Sequence, residues 1–278
     1  MKRLLIVGHG DIAERVRLRL PAGAEVRSIA RRLGADLDRP ETLAPCAGWA
    51  DAVLHCAPPP LQGEGDARTE NLLAAIDRGA IIPARLVYLS TSGVYGDCGG
   101  AYVDETRPVN PQTARAARRV DAERRLQAWC AARGAALVVL RVPGIYAADR
   151  LPLERLRAGT PVLRDEDDVY TNHIHADDLA AICLRALDAA APAGVYNAVD
   201  DSELRMGEWF DLLAERSGLA RAPRIARADA RGKISPESLS FMSESRRLLN
   251  AKLKRDLGVK LRYPTVFEGV PKGAPAIA

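Results

Sequence analysis

Short apolar runs alternate along the first two thirds of the chain with stretches in which apolar residues recur every three or four positions. The runs are "RLLIVG", "AEVRSIA", "DAVLHCA", "RLVYLSTS" and "ALVVLRV", and each is followed by a candidate helix or by a connection to one. This alternation is typical of βαβ units in which helices cover both faces of a parallel sheet. The pattern therefore predicts an α/β fold with a doubly wound parallel sheet.

Beyond about residue 200 the strand rhythm fades and two helical patterns follow. The first is "SELRMGEWFDLLAERSG" and the second is "SESRRLLNAKLKRDLG". In the second pattern, Ser243 is placed as an N-cap and Gly258 as the residue just past the C-terminus. We expect this tail to form a smaller C-terminal lobe over the carboxyl edge of the sheet.

Composition narrows the class of protein. The chain has 278 residues, of which 47% are hydrophobic, and no apolar run long enough to span a membrane, so we expect a cytoplasmic protein without a membrane partner. Five widely spaced cysteines without a CxxC pair predict reduced thiols. A net charge of +4 is too small to imply a nucleic acid partner.

A glycine pattern directly after the first strand is the first chemical motif. In "VGHGDIAERV", Gly8 allows a tight turn, Gly10 lets the backbone approach a pyrophosphate, and Ala13 lets the next helix pack closely. Asp11 and Ile12 begin that helix, so we expect them to contact the cofactor as well. The alternative is an ordinary strand-to-helix turn without a ligand.

Two arginines occupy the position at which an NAD-binding protein carries an acidic residue. After the second strand the sequence reads "SIARRLG", in which Arg31 and Arg32 suit a 2′-phosphate and no carboxylate competes nearby. We therefore expect NADP, with NAD as the alternative cofactor and solvated loop arginines as the alternative explanation. Residues 1–150 and 171–200 are predicted to form a dinucleotide-binding (Rossmann) domain, and residues 151–170 and 201–278 the smaller substrate-binding lobe.

Five motifs occur in a specific order along nearly the whole chain. They are "VYLSTSGVYGD", "DETRPVNP", "LRVPGIY", "NHIHADDLA" and "GVYNAVDD". In this combination the chain resembles the extended and atypical short-chain dehydrogenase/reductases, often labelled NAD-dependent epimerase/dehydratase. The resemblance implies an oxidoreductase or epimerase-like enzyme that acts on a small molecule and forms a homodimer, and Arg31 and Arg32 favour NADP as its cofactor.

The resemblance also implies roles for the "YLSTSGVYG" segment. Thr91 matches the hydroxyl that hydrogen-bonds the reacting substrate oxygen, whereas Ser90 and Ser92 are expected to cap the strand end. Tyr95 belongs to the ordinary motif and is the candidate replacement for a missing catalytic acid.

That acid is missing because the family's Tyr and Lys pair is absent. Aligning on Glu123 places Arg115 at the Tyr position and Arg119 at the Lys position. An arginine stays protonated and cannot act as a general acid or base, so the usual proton relay cannot pass through residue 115. We expect Arg119 to hold the nicotinamide ribose and Arg115 to present a fixed positive charge to the substrate.

A helical wheel places both arginines at the head of the apolar stripe that contains Ala122 and Leu126. Charges on a sheet-facing stripe need partners. Phosphate or ribose oxygens of a bound cofactor are one set, and the loop acids Asp104 and Glu105 are the other.

Two further segments bear on the site. Ala57 follows the third predicted strand and is expected to contact the cofactor, but Pro58 to Pro60 have no N–H, so contacts there are fewer. His173 and His175, near two aspartates, have a spacing that suggests a metal. The resemblance instead assigns this segment to the return of the chain to the sheet and the start of a helix, so we expect no metal.

Three classes of function remain. The first is an NADP-dependent oxidoreductase or epimerase-like enzyme. The second is a dinucleotide-binding sensor or partner-binding protein without hydride chemistry, which the missing Tyr and Lys favour. The third, a nucleic acid binder, is opposed by the low net charge and by the lack of aromatic residues among the arginines.

Overall fold

Residues 2–273 are described by the computed structural model of the chain, in which parallel strands form the centre of the molecule. In chain order the strands are β1 (Arg3–Val7), β2 (Glu25–Ile29), β3 (Ala52–His55), β4 (Arg85–Thr91), β5 (Tyr102–Val103), β6 (Ala136–Val142), β7 (Gly144–Tyr146), β8 (Val162–Leu163), β9 (Tyr170–Thr171), β10 (His173–His175), β11 (Gly194–Asn197), β12 (Leu204–Arg205), β13 (Arg224–Ile225) and β14 (Arg247–Leu248). The helices are α1 (Asp11–Arg17), α2 (Ala67–Ile76), α3 (Ala114–Arg133), α4 (Leu153–Arg157), α5 (Ala176–Leu187), α6 (Met206–Ser217), α7 (Pro236–Phe241), α8 (Ala251–Leu257) and α9 (Val266–Gly269).

The central sheet is six-stranded, in the order β11-β6-β4-β3-β1-β2, and every pairing in it is parallel. The five strands predicted from the apolar runs all belong to it, which confirms the predicted fold class. After β2 the chain crosses back past β1 to form β3 on its other side. At such a reversal the helices leave from opposite faces, and a crevice opens at the carboxyl ends of β1 and β3.

Both faces of the sheet are covered. Leu4 and Ile6 of β1 pack on one face, in a cluster with residues of α1, α5 and α8. The alternate residues Leu5 and Val7 pack on the other face, with residues of α2 and α3. All four side chains are fully buried. This pattern explains why the predicted strands read as continuous apolar runs.

A third apolar cluster lies in the segments expected to form the smaller lobe. It includes Leu153, Leu156, Val162, Trp209 and Leu213, and thus joins α4 and β8 to α6. The boundary between the two parts of the chain stays a prediction. Among residues 2–273, no helix is long and apolar enough to cross a membrane.

The prediction of a second helix in the tail, over "SESRRLLNAKLKRDLG", is wrong for the first half of that segment. Arg247 and Leu248 pair with β5 as a strand, so the helix starts only at Ala251. The N-cap is therefore Asn250 and not Ser243, while Gly258 ends the helix in the left-handed conformation, as predicted. Long-range strand pairing overrides the local helical pattern here.

The segment around His173 also departs from expectation. His173–His175 pairs with β7 in a separate two-stranded ladder, and the chain returns to the central sheet at β11 instead. The helix that follows, α5, begins with Asp177 and Asp178 in its first turn, as predicted.

A buried ion pair fixes α3 on the sheet. Glu123 of α3 and Arg141 of β6 lie 2.8 Å apart, with side chains only 10% and 7% exposed. Ser90 of β4 donates a hydrogen bond to the same carboxylate at 2.5 Å. The expectation that Ser90 caps the strand end is therefore wrong, because its hydroxyl binds the Glu123 carboxylate of α3 instead.

We expect Glu123→Ala to lower the free energy of unfolding by about 3–5 kcal/mol, because it leaves the Arg141 guanidinium buried without its partner. Chemical denaturation of both proteins measures this difference. The control is Glu215→Ala on α6, which is exposed and should change stability by no more than about 0.5 kcal/mol. Equal effects of the two changes would show that the pair does not hold α3 in place.

Candidate functional site

The crevice at the strand reversal is a cavity of about 740 Å³ at the carboxyl ends of β1, β2, β3 and β4. We call it the first cavity. All residues predicted from the sequence to contact a cofactor line it, namely Gly8, Gly10, Asp11, Ile12, Arg31, Arg32, Ala57 and Arg119. The fold thus brings together residues that lie more than a hundred positions apart, although their contact with a cofactor stays a prediction.

The floor of the first cavity is the glycine turn. Gly8 has a φ of +87°, and a Cβ atom there would lie 2.5 Å from the backbone nitrogen of Ala57. At Gly10 a Cβ would meet nothing within 4 Å, because it would point into open space. Gly10 provides no side-chain cap for α1, so the amides of Asp11 and Ile12 remain available to a ligand. This turn fits a pyrophosphate.

The two arginines after β2 lie at the rim. The side chain of Arg31 is 66% exposed, and Arg32 donates a hydrogen bond to the carbonyl oxygen of His9 at 3.1 Å. The expectation that no carboxylate lies nearby is wrong. Asp36 lines the cavity and lies 3.6 Å from Arg31, and Asp38 lies 3.7 Å from it, because the chain reverses after Leu33.

Arg119 extends from α3 over the carboxyl end of β4. Its Nη1 donates to the carbonyl oxygen of Leu89 at 2.7 Å and to the hydroxyl of Tyr88 at 3.1 Å. Burial, together with the charge of Arg119, lowers the pKa of His55 to about 3. His55 is therefore neutral, and Arg119 supplies positive charge to this wall of the cavity.

A second cavity of about 480 Å³ adjoins the first. The two share four lining residues, which are Thr91, Pro143, Ile145 and Arg150. The Thr91 hydroxyl oxygen accepts a hydrogen bond from the Gly93 amide at 3.3 Å, so its own hydrogen is free to donate. Thr91 therefore occupies the wall where a molecule in one cavity would meet a molecule in the other.

Arg115 lines the second cavity but is exposed, and its guanidinium carbon lies 4.1 Å from the centre of the Phe241 ring. The wheel prediction that it belongs to the buried stripe is wrong. Ala116 and Arg118 are the buried residues of that turn, whereas the contact of Arg115 is with Phe241 of α7.

The loop acids do not pair with the helix arginines. The side chain of Glu105 accepts a hydrogen bond from the backbone N–H of Asn197 at 2.8 Å, and Asp104 accepts from Thr106. That alternative for Arg115 and Arg119 is therefore wrong.

Tyr95 lies outside the residues that line the two cavities. It is 1% exposed, and its hydroxyl donates to the side-chain oxygen of Asn197 at 2.8 Å. Burial raises the pKa of Tyr95. This placement opposes a role as catalytic acid and gives the ring a packing role beside Arg141, whose guanidinium lies 4.7 Å from it.

The two histidines with metal-like spacing have other surroundings. Burial lowers the pKa of His173 to about 3, and its ring lies 4.4 Å from that of Trp209. His175 accepts a hydrogen bond from the Asp177 amide at the start of α5. Within residues 2–273, no group of three or more histidine, cysteine or acidic side chains is arranged to hold a metal ion.

Sequence reasoning missed several arginines of the cavities, among them Arg68, Arg150 and Arg155. Arg68 lines the first, where it binds Asp38 and the carbonyl oxygens of Pro58 and Pro59. Arg150 lines both and lies 2.7 Å from Asp11, and Arg155 lines the second. Arg150 follows the "PGIY" motif closely enough to have been noticed, whereas Arg68 and Arg155 lie in helices without a recognisable motif.

Comparisons with known proteins give a matching family model and several similar proteins. The model of the NAD dependent epimerase/dehydratase family matches residues 30–198. Over 256 residues the chain is 28% identical to dTDP-4-dehydrorhamnose reductase from Streptomyces griseus, which covers 86% of this chain and 76% of that protein. Among solved structures, a functionally unknown conserved protein from Silicibacter pomeroyi DSS has a TM-score of 0.77 at 29% identity, covering 97% of each chain. RMD from Pseudomonas aeruginosa, complexed with NADPH, has a TM-score of 0.74 at 19% identity, covering 98% of this chain and 96% of that one.

We expect Gly8→Ala to abolish NADPH binding, because its methyl group would collide with the Ala57 backbone and distort the turn. Fluorescence titration with NADPH measures the affinity. Gly23→Ala is a matched control, since Gly23 has the same φ of +87° but no heavy atom within 4 Å of its Cβ position. Both changes introduce the strain of a left-handed residue, about 1–2 kcal/mol. Normal NADPH binding by Gly8→Ala would remove the glycine turn from the site.

Proposed function

The chain belongs to the NAD dependent epimerase/dehydratase family, and from this premise we propose that it is an NADP-dependent oxidoreductase whose substrate is a small molecule held in the second cavity. The observation that carries the proposal is the position of Thr91, which lines both cavities. A cofactor that fills the first cavity and a substrate that fills the second would meet at this hydroxyl.

Successive groups of residues along the first cavity match successive parts of a dinucleotide. Arg31 and Arg32 at the rim would hold a 2′-phosphate, and the glycine turn would hold the pyrophosphate. Arg119 donates to the carbonyl oxygen of Leu89, two residues before Thr91, and would hold the nicotinamide ribose. When bound, the cofactor supplies or accepts hydride at this end, next to the second cavity.

Thr91 and Arg115 would act on the substrate. The free hydroxyl hydrogen of Thr91 can be donated to the substrate oxygen that changes its bonding. Arg115 would stabilise negative charge on that oxygen but cannot transfer a proton. With Tyr95 buried away from the cavities, the proton would come from water or from the substrate.

A second candidate function is binding of NAD(P) without hydride transfer. Arginine at both positions of the missing Tyr and Lys pair favours it. Following NADPH absorbance with a panel of aldehydes, ketones and alcohols separates the two functions. Turnover supports the oxidoreductase, and tight NADPH binding without turnover of any compound supports the second candidate.

We expect the protein to bind NADPH more tightly than NADH, and replacement of both Arg31 and Arg32 by alanine to erase that preference. Loss of charge-assisted contacts to the 2′-phosphate corresponds to about 1.5–3 kcal/mol, and Asp36 at the rim would then repel the phosphate. Fluorescence titrations with both cofactors measure the preference.

The control for this pair is Arg39→Ala, because Arg39 is exposed and pairs with Glu41 outside the lining of the first cavity. It should keep the wild-type preference. Equal affinities of the wild-type protein for the two cofactors would contradict the assignment of NADP.

The two arginines of α3 are expected to act on different ligands. Arg119→Ala should weaken NADPH binding about tenfold or more, because a ribose contact is lost. Arg115→Ala should leave NADPH affinity nearly unchanged and lower turnover or substrate binding instead. The control Arg124→Ala lies on the exposed face of the same helix and should affect neither. If Arg119→Ala binds NADPH as the wild type does, Arg119 is a structural charge and the ribose assignment fails.

A further inference from the structure

Arg155 of α4 lines the second cavity and has an unusual environment. Its guanidinium carbon lies 4.6 Å from the centre of the Phe210 ring, and its Nη2 is buried without a hydrogen-bond partner. Within residues 2–273, none of its guanidinium nitrogens donates a hydrogen bond and no carboxylate lies within 4.0 Å of them. Burial lowers the pKa of Arg155, because desolvation penalises the charged guanidinium.

Other arginines with a buried, unpartnered nitrogen differ from Arg155 in one respect. Arg118 donates to the carbonyl oxygen of Gly63, Arg216 to that of Phe267, and Arg246 to that of Gly96. Each of them is therefore held by the protein itself. A partly buried cation without such partners is costly, and a bound anion would offset this cost.

The charge balance of the second cavity points the same way. Among the described residues that line this cavity, Glu244 is the single acidic side chain, and it pairs with Arg246 at 2.8 Å. Arg115 stacks on Phe241 without a carboxylate within 4.0 Å among the described residues. Two arginines are thus left without internal counter-charges.

The remaining wall is aromatic and neutral. Tyr146, His173 and Trp209 line it, and the Trp209 ring lies 5.6 Å from Tyr146 and 4.4 Å from His173. His173 is uncharged, as its pKa is lowered to about 3. Such a wall favours the flat or apolar part of a ligand.

Side-chain amides are a common means of reading the edge of a nucleoside base. Asn172 is the amide side chain that lines the second cavity, and both its ends are engaged with the protein. Its nitrogen donates to the carbonyl oxygen of Arg246, and its oxygen accepts from the Leu248 amide. The lining therefore leaves no side-chain amide for base recognition.

We propose that the second cavity binds a compact molecule without a nucleoside, with a carboxylate or phosphate group held by Arg155 and an apolar body against Trp209. This inference rests on the proposed function in that it names the substrate class of the same site. Anion binding is measured without turnover. The anion site can therefore be present even if the protein transfers no hydride, and hydride transfer can occur even if the anion site is absent.

The test uses the protein saturated with NADP⁺ and isothermal titration with four probes. Benzoate and phenyl phosphate carry the two oxyanions, benzamide is the neutral analogue, and dTDP represents a nucleotide. At least one oxyanion probe should bind about tenfold more tightly than benzamide, because a charge-assisted contact to arginine is lost in the amide. The better of the two identifies the oxyanion as carboxylate or phosphate.

Two variants locate the contact. Arg155→Gln should lose about tenfold or more of the affinity for the better probe. Arg157→Gln, on the same short helix but exposed and paired with Glu154, should keep it. If Arg155→Gln does not fold, the comparison of the four probes on the wild-type protein still tests whether the cavity binds an oxyanion.

Four results would overturn the proposal. They are the absence of binding by both oxyanion probes up to about 10 mM, equal binding of benzamide, unchanged affinity in folded Arg155→Gln, and tighter binding of dTDP than of phenyl phosphate.

Discussion

The reversal of strand order between β1 and β3 is the constraint on which the site depends. Strands on the two sides of it send their following helices to opposite faces, so no crossover covers the carboxyl ends in between. The glycine turn after β1, Ala57 after β3 and Thr91 at the end of β4 consequently face one crevice. The buried pair of Glu123 and Arg141 sets the position of α3 against these strands. It therefore also sets the position of Arg119, which contacts the carbonyl oxygen of Leu89 near the end of β4.

Exchange of a Tyr and Lys pair for two arginines changes what the site can do. A tyrosine can give and take a proton, whereas an arginine side chain cannot act as a general acid or base. Arg119 is held by the Leu89 carbonyl oxygen and the Tyr88 hydroxyl, so its position is fixed before any ligand arrives. Fixed charges stabilise a transition state without reorganisation, but they do not transfer a proton.

The sequence predicts the fold well because its signals are local. Continuous apolar runs specify the buried parallel strands, and Gly8 and Gly10 mark the turn at the first of them. The errors arise where distant residues decide the outcome. Arg247 and Leu248 read as helix but pair with β5.

The same limit applies to the candidate site. Asp36 is absent from the sequence prediction because a chain reversal brings it to Arg31, and the contact of Arg115 with Phe241 of α7 joins residues more than a hundred positions apart. Tyr95 belongs to a recognisable motif, yet its partner Asn197 holds it in the interior. A motif gives the identity of a side chain, whereas the direction in which it points depends on contacts that form only in the folded chain.

In a chain with 40 basic residues, the number of arginines near a cavity says little about its ligand. Their partners say more. Arg68 and Arg150 line the first cavity but are bound to Asp38 and Asp11, so their charges are largely balanced by the protein. Arg155 lacks such a partner among the described residues, and the free energy that its burial costs has to be offset by something else. The unbalanced charge, and not the total charge, therefore indicates where this protein meets an anion.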